Sequence, residues 1–463
     1  MQTLHRSSLA AAALAAVPVA AQAHVHSAHC GHGVQEWQGG GDPPVIDHGA
    51  VPPGGDPSAF RNFGDPFGRW FGNNNAARRT GVRGDGITLT YGVVPDGTAI
   101  GGQVGALEDP NQGSDLRAFL NANVGSEATW TRLIDDAYQR WGELSGLTMI
   151  REDNDDGAQM GGGGSRGLDG VRADLRIGGR LVDGQDGSNT LAYNYSPSNG
   201  DQVIDTSNAR FYGNSVNDFR GLRNVLMHEA GHGLGLAHLE SSDGAFLMEP
   251  FINTRFDGPQ LDDLLAIQRN YGDRFEAGTG NDAFNNATAL GSLAPVAVTG
   301  PAGGLALGTD ARDDTTFIGA DDTDFVSIDG ADDRDVFGFT LTEAGDLTFR
   351  VDPRGVAYSE GPQGGAQSPF DTRSLADLAI DLLDASGATL ATANATGLGA
   401  GEQIFTRLLA GDYFAVVRAG AGSTDNVQLY ELGLSATVVP EPTGLLALAG
   451  AGGLTLLRRR RAS

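Results

Sequence analysis

The chain has 463 residues and a formal net charge of -27, and all 31 of its basic residues are arginine. So large an excess of acidic groups repels phosphate backbones, which excludes nucleic acid as an expected partner. A single cysteine, Cys30, excludes an internal disulfide framework. The length predicts about three domains, and 70 glycines predict many loops and turns.

Residues 1–23 have the order of parts found in a secretory signal peptide. A basic start with His5 and Arg6 is followed by a short apolar run and the small residues AQA, so cleavage is predicted after Ala23. A membrane span needs about 20 apolar residues, and this run is shorter. We therefore predict that the protein is exported.

Residues 24–84 are rich in Gly, Pro, Asn and Asp and show little apolar periodicity. This composition predicts a flexible segment or a pro-region. Cys30 lies here in the sequence HVHSAHCGHG, among four histidines. A metal-scavenging tract and an incidental thiol are both open interpretations of this cluster.

Residues 85–275 carry the periodic patterns of a folded α+β domain. An alternating run predicts the first strand, and apolar residues at i, i+3, i+4 and i+7 predict a helix that faces the core. In chain order the predicted elements are a strand at 86–94, a helix at 128–145, short strands at 173–177 and 191–195, a helix from near Phe219 and a helix ending at Gly272.

The sequence HEAGHGLGLAH holds three of the nine histidines, and its spacing assigns them to one metal ion. On a helix, His228 and His232 lie one turn apart on the same face, so their imidazoles can converge. Gly235 can adopt a positive φ, which would end the helix and turn the chain back so that His238 becomes a third ligand. Three imidazoles leave a fourth tetrahedral position for water, the pattern of a catalytic zinc site.

Glu229 follows the first of these ligands and is turned about 100° from it on a helix, so it borders the metal without needing to bind it. A zinc ion lowers the pKa of its water and polarises a scissile carbonyl. Glu229 is then the predicted general base, which takes the proton of the water and passes it to the leaving amine. Histidines merely packed on a helix face are the alternative, and so specific a spacing disfavours it.

These eleven residues and their surroundings resemble the metzincin zinc peptidases, and among these the matrixins most. HEAGHGLGLAH matches the zinc signature, Met248 in AFLMEP matches the methionine of the Met-turn beneath the metal, and LDDLLAIQRNYG matches the closing helix. The resemblance covers residues 85–275. It implies an α+β metzincin catalytic domain with a twisted mixed sheet, long helices and a cleft with one catalytic Zn²⁺, acting on protein or peptide substrates. Leu239 follows His238 where matrixins usually have Ser, which leaves another metzincin branch open.

The resemblance also bears on further zinc ligands. Animal matrixins hold a second, structural zinc, but Tyr193 and Val203 stand where its ligands are expected, so this zinc is predicted to be absent. Many matrixins are kept latent by a propeptide cysteine that occupies the fourth zinc position, and Cys30 could act in this way. The flanks of Cys30 do not match the switch sequence of the family, so latency stays an alternative.

Calcium is a second candidate cofactor. Hard oxygen ligands in Gly-rich loops suit Ca²⁺, and three aspartates fit this description: Asp183, Asp186 and Asp205. Ordinary turn aspartates are the favoured interpretation of all three. The loop DNDDG at 153–157 lacks the distal Glu of a helix-loop-helix calcium site and is a weaker candidate.

Residues 280–437 have a different character, with short alternating runs separated by turn residues. This pattern predicts an all-β sandwich domain. The region resembles the bacterial pre-peptidase C-terminal domain in NDAFNNATAL, DRDVFGFTL and LLAGDYFAVV, and it contains no histidine or cysteine, so catalysis is not expected in it. Binding of substrate, extracellular polysaccharide or matrix is one interpretation, and a spacer role is the other.

Residues 438–463 combine the motif PEP at 440–442, an apolar stretch at 443–457 and four arginines at 458–461. This order resembles the PEP-CTERM sorting signal of Gram-negative bacteria. The resemblance implies a membrane transpeptidase as processing partner, a transient membrane anchor, and delivery to the cell surface or extracellular matrix. A plain C-terminal anchor is the alternative.

Together these patterns predict an exported, surface-directed zinc metalloendopeptidase. The alternative of a different class is a non-catalytic surface or extracellular-matrix adhesion protein on a metzincin fold. An intact Glu229 argues against that alternative, because a protein without catalytic activity has no need of a general base.

Overall fold

The structure is a computed structural model of the chain. It describes residues 69–70, 82–102, 107–109, 111–184, 190–242, 244–297, 304–362, 365–421, 423 and 426–438. The predicted signal peptide, Cys30, Asp186 and the PEP motif with its apolar and basic tail lie outside the described residues. Within the described ranges, no helix is both long enough and apolar enough to cross a bilayer.

Residues 85–275, here called the N-terminal region, fold as a mixed α/β unit. The strands are β1 (Ile87–Val93), β2 (Ile100–Gly101), β3 (Leu147–Arg151), β4 (Met160–Gly161), β5 (Leu175–Arg180), β6 (Ala192–Asn194), β7 (Gln202–Asp205) and β8 (Leu239–Ser241). The α-helices are α1 (Leu116–Asn123), α2 (Glu127–Glu143), α3 (Ala209–Tyr212), α4 (Arg220–Gly233) and α5 (Leu261–Tyr271). The main sheet has the order β3-β1-β5-β7-β6, parallel except for β6, which pairs antiparallel with β7 at one edge. The expectation of a mixed sheet combined with helices is confirmed.

Helix α2 forms where the apolar periodicity predicts it. Ser126 caps its N-terminus by accepting a hydrogen bond from the backbone N–H of Thr129, which satisfies one of the free donors of the first turn. The buried face of the helix packs against α4, and the indole of Trp141 donates to the carbonyl of Met227 over 3.0 Å. This contact fixes α4, which carries the histidine motif, against the longest helix of the region.

Residues 280–438, here called the two-sheet region, consist of strands and turns apart from one short 3-10 helix at Phe284–Asn286 in the described part. The strands are β9 (Thr288–Leu293), β10 (Gly304–Leu307), β11 (Val326–Ile328), β12 (Arg334–Leu341), β13 (Gly345–Pro353), β14 (Ala357–Pro362), β15 (Ser368–Asp371), β16 (Leu378–Asp384), β17 (Thr389–Ala393), β18 (Glu402–Leu408), β19 (Gly411–Ala419) and β20 (Gln428–Val438). One sheet has the order β10-β20-β13-β18 with β11 also on β20, and the other has the order β17-β16-β19-β12-β9. Alternating residues of both sheets, such as Phe349 and Phe337, share one apolar core.

The two regions are joined by a strand pair and by a common core. Strand β8 of the N-terminal region pairs antiparallel with β14, and β15 completes this small sheet. The core of the N-terminal region also includes Ile318, Phe325 and Phe370 from the two-sheet region. The sequence patterns predict two successive domains but give no sign of this junction.

Arg69 and Trp70 lie in the segment predicted as flexible or as a pro-region, yet both side chains are buried in the N-terminal region. The indole N–H of Trp70 donates to the carbonyl of Gly233 over 2.8 Å, at the end of α4. The guanidinium of Arg69 lies 4.7 Å from the ring centre of Tyr271. The composition of residues 24–84 gives no sign of these two contacts, because an aromatic anchor needs only one or two residues and leaves no periodic pattern.

Candidate metal centre

Helix α4 and the turn after it bring three imidazoles together. His228 and His232 lie one helical turn apart, and Gly235 adopts a φ of 106°, which turns the chain toward His238. Each pair of their Nε2 atoms is 3.1 Å apart, and each residue can offer one ligand atom. Nitrogen ligands at the usual Zn–N distance in tetrahedral geometry lie roughly 3.3 Å from one another, so this triangle fits one zinc ion.

Backbone carbonyls fix the other nitrogens of two of these rings. His228 Nδ1 lies 2.6 Å from the carbonyl of Leu247, and His232 Nδ1 lies 2.7 Å from that of Leu236. A carbonyl only accepts hydrogen bonds, so each Nδ1 carries the proton and each Nε2 presents a lone pair to the centre of the triangle. Converging lone pairs repel one another unless a cation lies between them, so the donor set suits a metal ion.

Glu229 lies beside the first histidine and has no exposed surface. Its side chain leaves α4 about 100° from that of His228, so the carboxylate borders the imidazoles instead of joining the triangle. A buried carboxylate next to a metal-bound water can accept its proton. Glu229 is therefore the candidate base of this site, and its catalytic role stays a prediction.

Met248 lies beneath α4 and is fully buried. Its sulfur is so close to Gly231, between the two helical ligands, that a Cβ on this glycine would lie only 2.6 Å from Sδ. The backbone N–H groups of Leu247 and Met248 both donate to the carboxylate of Asp263, over 2.8 and 3.0 Å. Burial raises the pKa of Asp263 to about 7, while these and the Gln260 N–H act to lower it. Met248, the methionine predicted for the Met-turn, therefore packs against α4 between His228 and His232, and Asp263 of α5 fixes the backbone of its turn.

Tyr193 and Val203, at the positions where the family resemblance predicts the ligands of a structural zinc, are both fully buried. The hydroxyl of Tyr193 donates to Glu108 over 2.8 Å, and the guanidinium of Arg180 pairs with the same carboxylate at 3.1 Å. Both members of this ion pair are fully buried. An arginine, a carboxylate and a tyrosine therefore cross-link this part of the sheet.

The described aspartates among the calcium candidates accept hydrogen bonds from backbone N–H groups or pair with arginines. Asp205 accepts backbone N–H groups of Val182, Asp183 and Ser207, and Asp183 accepts that of Thr190. In the loop 153–157, the aspartates pair with arginines, as in the buried pair of Asp155 and Arg176 at 2.7 Å. These contacts are those of turn aspartates and ion pairs, which agrees with the favoured interpretation from the sequence.

Besides the histidine triangle, a cluster of acidic residues that the sequence did not predict lies where the two regions meet. Glu276, Asp282 and Asp333 each place a carboxylate oxygen within 4.8 Å of the others. Glu276 is only 4% exposed, and its Oε1 has no hydrogen-bond partner among the described residues. Asn281 is 1% exposed, and within the same ranges neither its amide oxygen nor its amide nitrogen has a hydrogen-bond partner. The dense acidic run DGADDRD at 329–335 was the available sequence signal.

The solved structures that match parts of the chain do so with low TM-scores. They include the pre-peptidase C-terminal domain of a collagenase from Bacillus anthracis, at 14% identity over 32% of this chain and 96% of that chain, with a TM-score of 0.19. A CBM35 from Cellvibrio japonicus is 17% identical over 31% of this chain and 96% of that chain, with a TM-score of 0.17. A β-glucosidase from Paenibacillus barengoltzii is 14% identical over 49% of this chain and 18% of that chain, with a TM-score of 0.16. Scores this low carry no conclusion about the two-sheet region.

Family comparison is informative for the part of the chain that holds the histidines. No curated protein matches the chain. Residues 119–272 match the family model of the matrixins, and this segment runs from α1 to the end of α5 and contains the histidine triangle, Glu229 and Met248. This segment of the chain is therefore similar to the matrixins.

Proposed function

We propose that the protein is a zinc-dependent metalloendopeptidase that hydrolyses peptide bonds of proteins. The observation that carries the proposal is the triangle of Nε2 atoms, 3.1 Å on each side, with Glu229 buried beside it. The matrixin match of residues 119–272 supports it. A bound zinc ion would polarise the scissile carbonyl and acidify a coordinated water.

The residues of the site have separate roles in the proposed reaction. His228, His232 and His238 would hold the ion through Nε2, and the carbonyls at Nδ1 keep the rings of the first two in orientation. Glu229 accepts the proton of the attacking water and donates it to the leaving amine. Met248 forms the packed floor under the ligands.

Glu229→Ala and Glu229→Gln, compared with the wild type on casein or gelatin, test this assignment. Both variants should retain zinc and lose at least about 100-fold in cleavage rate, the usual contribution of a general base. The exposed Glu343→Gln serves as the control for loss of a carboxylate and should cleave like the wild type. Zinc content is measured on each purified protein.

The other outcomes separate the alternatives. Cleavage by the Glu229 variants at the wild-type rate would show that the proposed base is wrong. A wild type that is loaded with zinc and cleaves neither substrate would favour the adhesion protein on the same fold. Cleavage by the wild type that survives removal of zinc with a chelator would contradict the metallopeptidase assignment as a whole.

We also propose that the protein is exported and reaches the cell surface or the extracellular matrix of a Gram-negative bacterium. The support is the signal-like sequence at 1–23 and the PEP, apolar and arginine order at 438–463. Cell fractionation of the full chain and of a chain ending at residue 437 tests this. The full chain should reach the outer surface, and the shortened chain should be released or retained elsewhere; a full chain found in the cytoplasm would contradict the proposal.

For calcium, we propose a site at the cluster of Glu276, Asp282 and Asp333. The support is a set of converging carboxylates together with the buried, partnerless Oε1 of Glu276 among the described residues. Calcium prefers six to eight oxygen ligands, and the amide oxygen of Asn281 is a further candidate. The thermal unfolding experiments of the Discussion test this site.

A further inference from the structure

We infer that Tyr358, in the two-sheet region, is a positioning residue for the metal centre of the N-terminal region. The inference rests on the proposed zinc site and assigns part of its support to a segment more than a hundred residues away in the chain. The two-sheet region accordingly helps to position the metal-binding residues, in addition to any binding or spacer role.

The first observation is the strand pair next to a ligand. Strand β8 begins at Leu239, directly after His238, and pairs antiparallel with β14 so that Ser241 lies opposite Glu360. The backbone N–H of Leu239 also donates to the carbonyl of Met248 over 3.3 Å. The chain that leaves the third ligand is thus held between the Met248 turn and a strand of the two-sheet region.

The second observation is the hydroxyl of Tyr358, which reaches from β14 to the first turn of α5. It donates to Asp262 Oδ1 over 2.6 Å, and Asp262 is almost completely buried. The ring of Tyr358 packs against Phe246 with ring centres 4.9 Å apart, and against Phe370 at 5.4 Å. A short bond to a buried carboxylate and two aromatic contacts define the position of this turn of α5.

The third observation connects that turn to a ligand. Asp263, next to Asp262, accepts the backbone N–H groups of Leu247 and Met248. The carbonyl of Leu247 in turn holds Nδ1 of His228 at 2.6 Å. A displacement of the first turn of α5 therefore moves the acceptor that fixes the ring of the first metal ligand.

The start of α5 is fixed by the two-sheet region at a second point. The side chain of Gln260 accepts the N–H of Ile318 over 3.0 Å and donates to the carbonyl of the same residue over 3.3 Å. The N–H of Leu261 donates to the carbonyl of Thr316 over 3.1 Å. Because Gln260 also forms the capping box with Asp263, both anchors act on the residue that holds the Met248 turn.

The test uses the full chain and the variant Tyr358→Phe, which removes the hydroxyl and keeps the ring. Tyr413→Phe is the control, since its hydroxyl donates to the carbonyl of Leu409 within the two-sheet region and, among the described residues, makes no hydrogen bond to α5. Three properties are measured: the rate of zinc loss to a chelator, the visible spectrum after Co²⁺ substitution, and kcat and KM separately.

We expect Tyr358→Phe to lose zinc about tenfold faster, which is the lower end of the effect usually seen when a residue that orients a metal ligand is changed. We also expect its Co²⁺ spectrum to differ from that of the wild type. We also expect it to lower kcat with little change in KM. Tyr413→Phe should match the wild type in all three properties. Asp262→Asn weakens the same hydrogen bond from the other side, so it should reproduce the effect, and the double variant should add little to either single variant.

Zinc loss and Co²⁺ spectra equal to the wild type in both Tyr358→Phe and Asp262→Asn would overturn the inference. An equal change in Tyr413→Phe would also overturn it, because the effect would then be one of general stability. A wild type that binds zinc but cleaves no protein would contradict the proposed function only, since metal release and spectra still measure the positioning role.

Discussion

Glu276 permits a prediction about pH and calcium whose sign and size follow from the structure. The carboxyl is 4% exposed. Burial, followed by the charges of Asp333 and Asp282, raises its pKa from 4.5 to about 9. A raised pKa means that the folded state binds this proton more tightly than the unfolded chain does. The contribution of Glu276 to stability is therefore greatest below about pH 4.5 and declines as the pH rises toward about 9.

The magnitude follows from the distance between the two pKa values. Each pKa unit corresponds to about 1.4 kcal/mol, so the 2.5 units between pH 4.5 and pH 7 correspond to roughly 3 kcal/mol of lost stability. For a folding unit of 150–250 residues, this is a fall in Tm of about 6–12 °C. A divalent cation reverses the effect, because it stabilises the ionised carboxylates and binds only the folded state.

The assay is thermal unfolding of the wild type, Glu276→Gln and the exposed control Glu343→Gln, from about pH 5 to about pH 9, with a chelator or with Ca²⁺. With the chelator, Glu276→Gln should lose less stability than the wild type as the pH rises, because glutamine has no proton to lose. With Ca²⁺ at high pH, the wild type should gain stability and Glu276→Gln should gain much less. Equal pH profiles of the two proteins in chelator would refute the burial argument, and equal gains with Ca²⁺ would show that calcium binds elsewhere.

Two further predictions concern the packing around α4. Gly231→Ala should destabilise the fold by up to about 2 kcal/mol and speed the loss of zinc. The added Cβ would lie 2.6 Å from Met248 Sδ, which costs about 1–3 kcal/mol, while alanine gains about 1 kcal/mol in helix propensity. A rise in Tm would contradict this prediction. Trp70→Phe removes the 2.8 Å hydrogen bond to the Gly233 carbonyl and should cost about 1–3 kcal/mol in urea unfolding. An unchanged free energy of unfolding would mean that Trp70 does not anchor its segment.

The parts of the site that the sequence predicted are those set by local geometry. His228 and His232 meet because a helix repeats every 3.6 residues, and His238 joins them because Gly235 turns the chain. The periodic helix expected at 128–145 is observed at Glu127–Glu143 for the same reason. In each case the determining residues lie within one or two turns of one another, so the sequence alone contains the information.

The parts that the sequence did not predict depend on contacts between distant segments. The pairing of β8 with β14 joins residues more than a hundred positions apart, and both strands are short. The buried cluster of Glu276, Asp282 and Asp333 forms only when the two regions meet, so its acids look like ordinary turn residues in the sequence. No periodic pattern reports such contacts, because the partner of each residue is fixed by the tertiary fold.

The positions of the three clustered histidines are set by contacts with three other parts of the fold. Trp70 holds the end of α4, the carbonyl of Leu236 orients His232, and Asp263 holds the turn whose carbonyl orients His228. Holding three Nε2 atoms 3.1 Å apart with their lone pairs converging is unfavourable, so the histidines need support from the surrounding fold as well as from any bound ion. Because the buried first turn of α5 is anchored to the two-sheet region, part of that support comes from outside the segment that matches the matrixins. A shortened chain that ends near residue 275 would keep every ligand and lose this anchor, so retention of the motif is not sufficient for retention of the site.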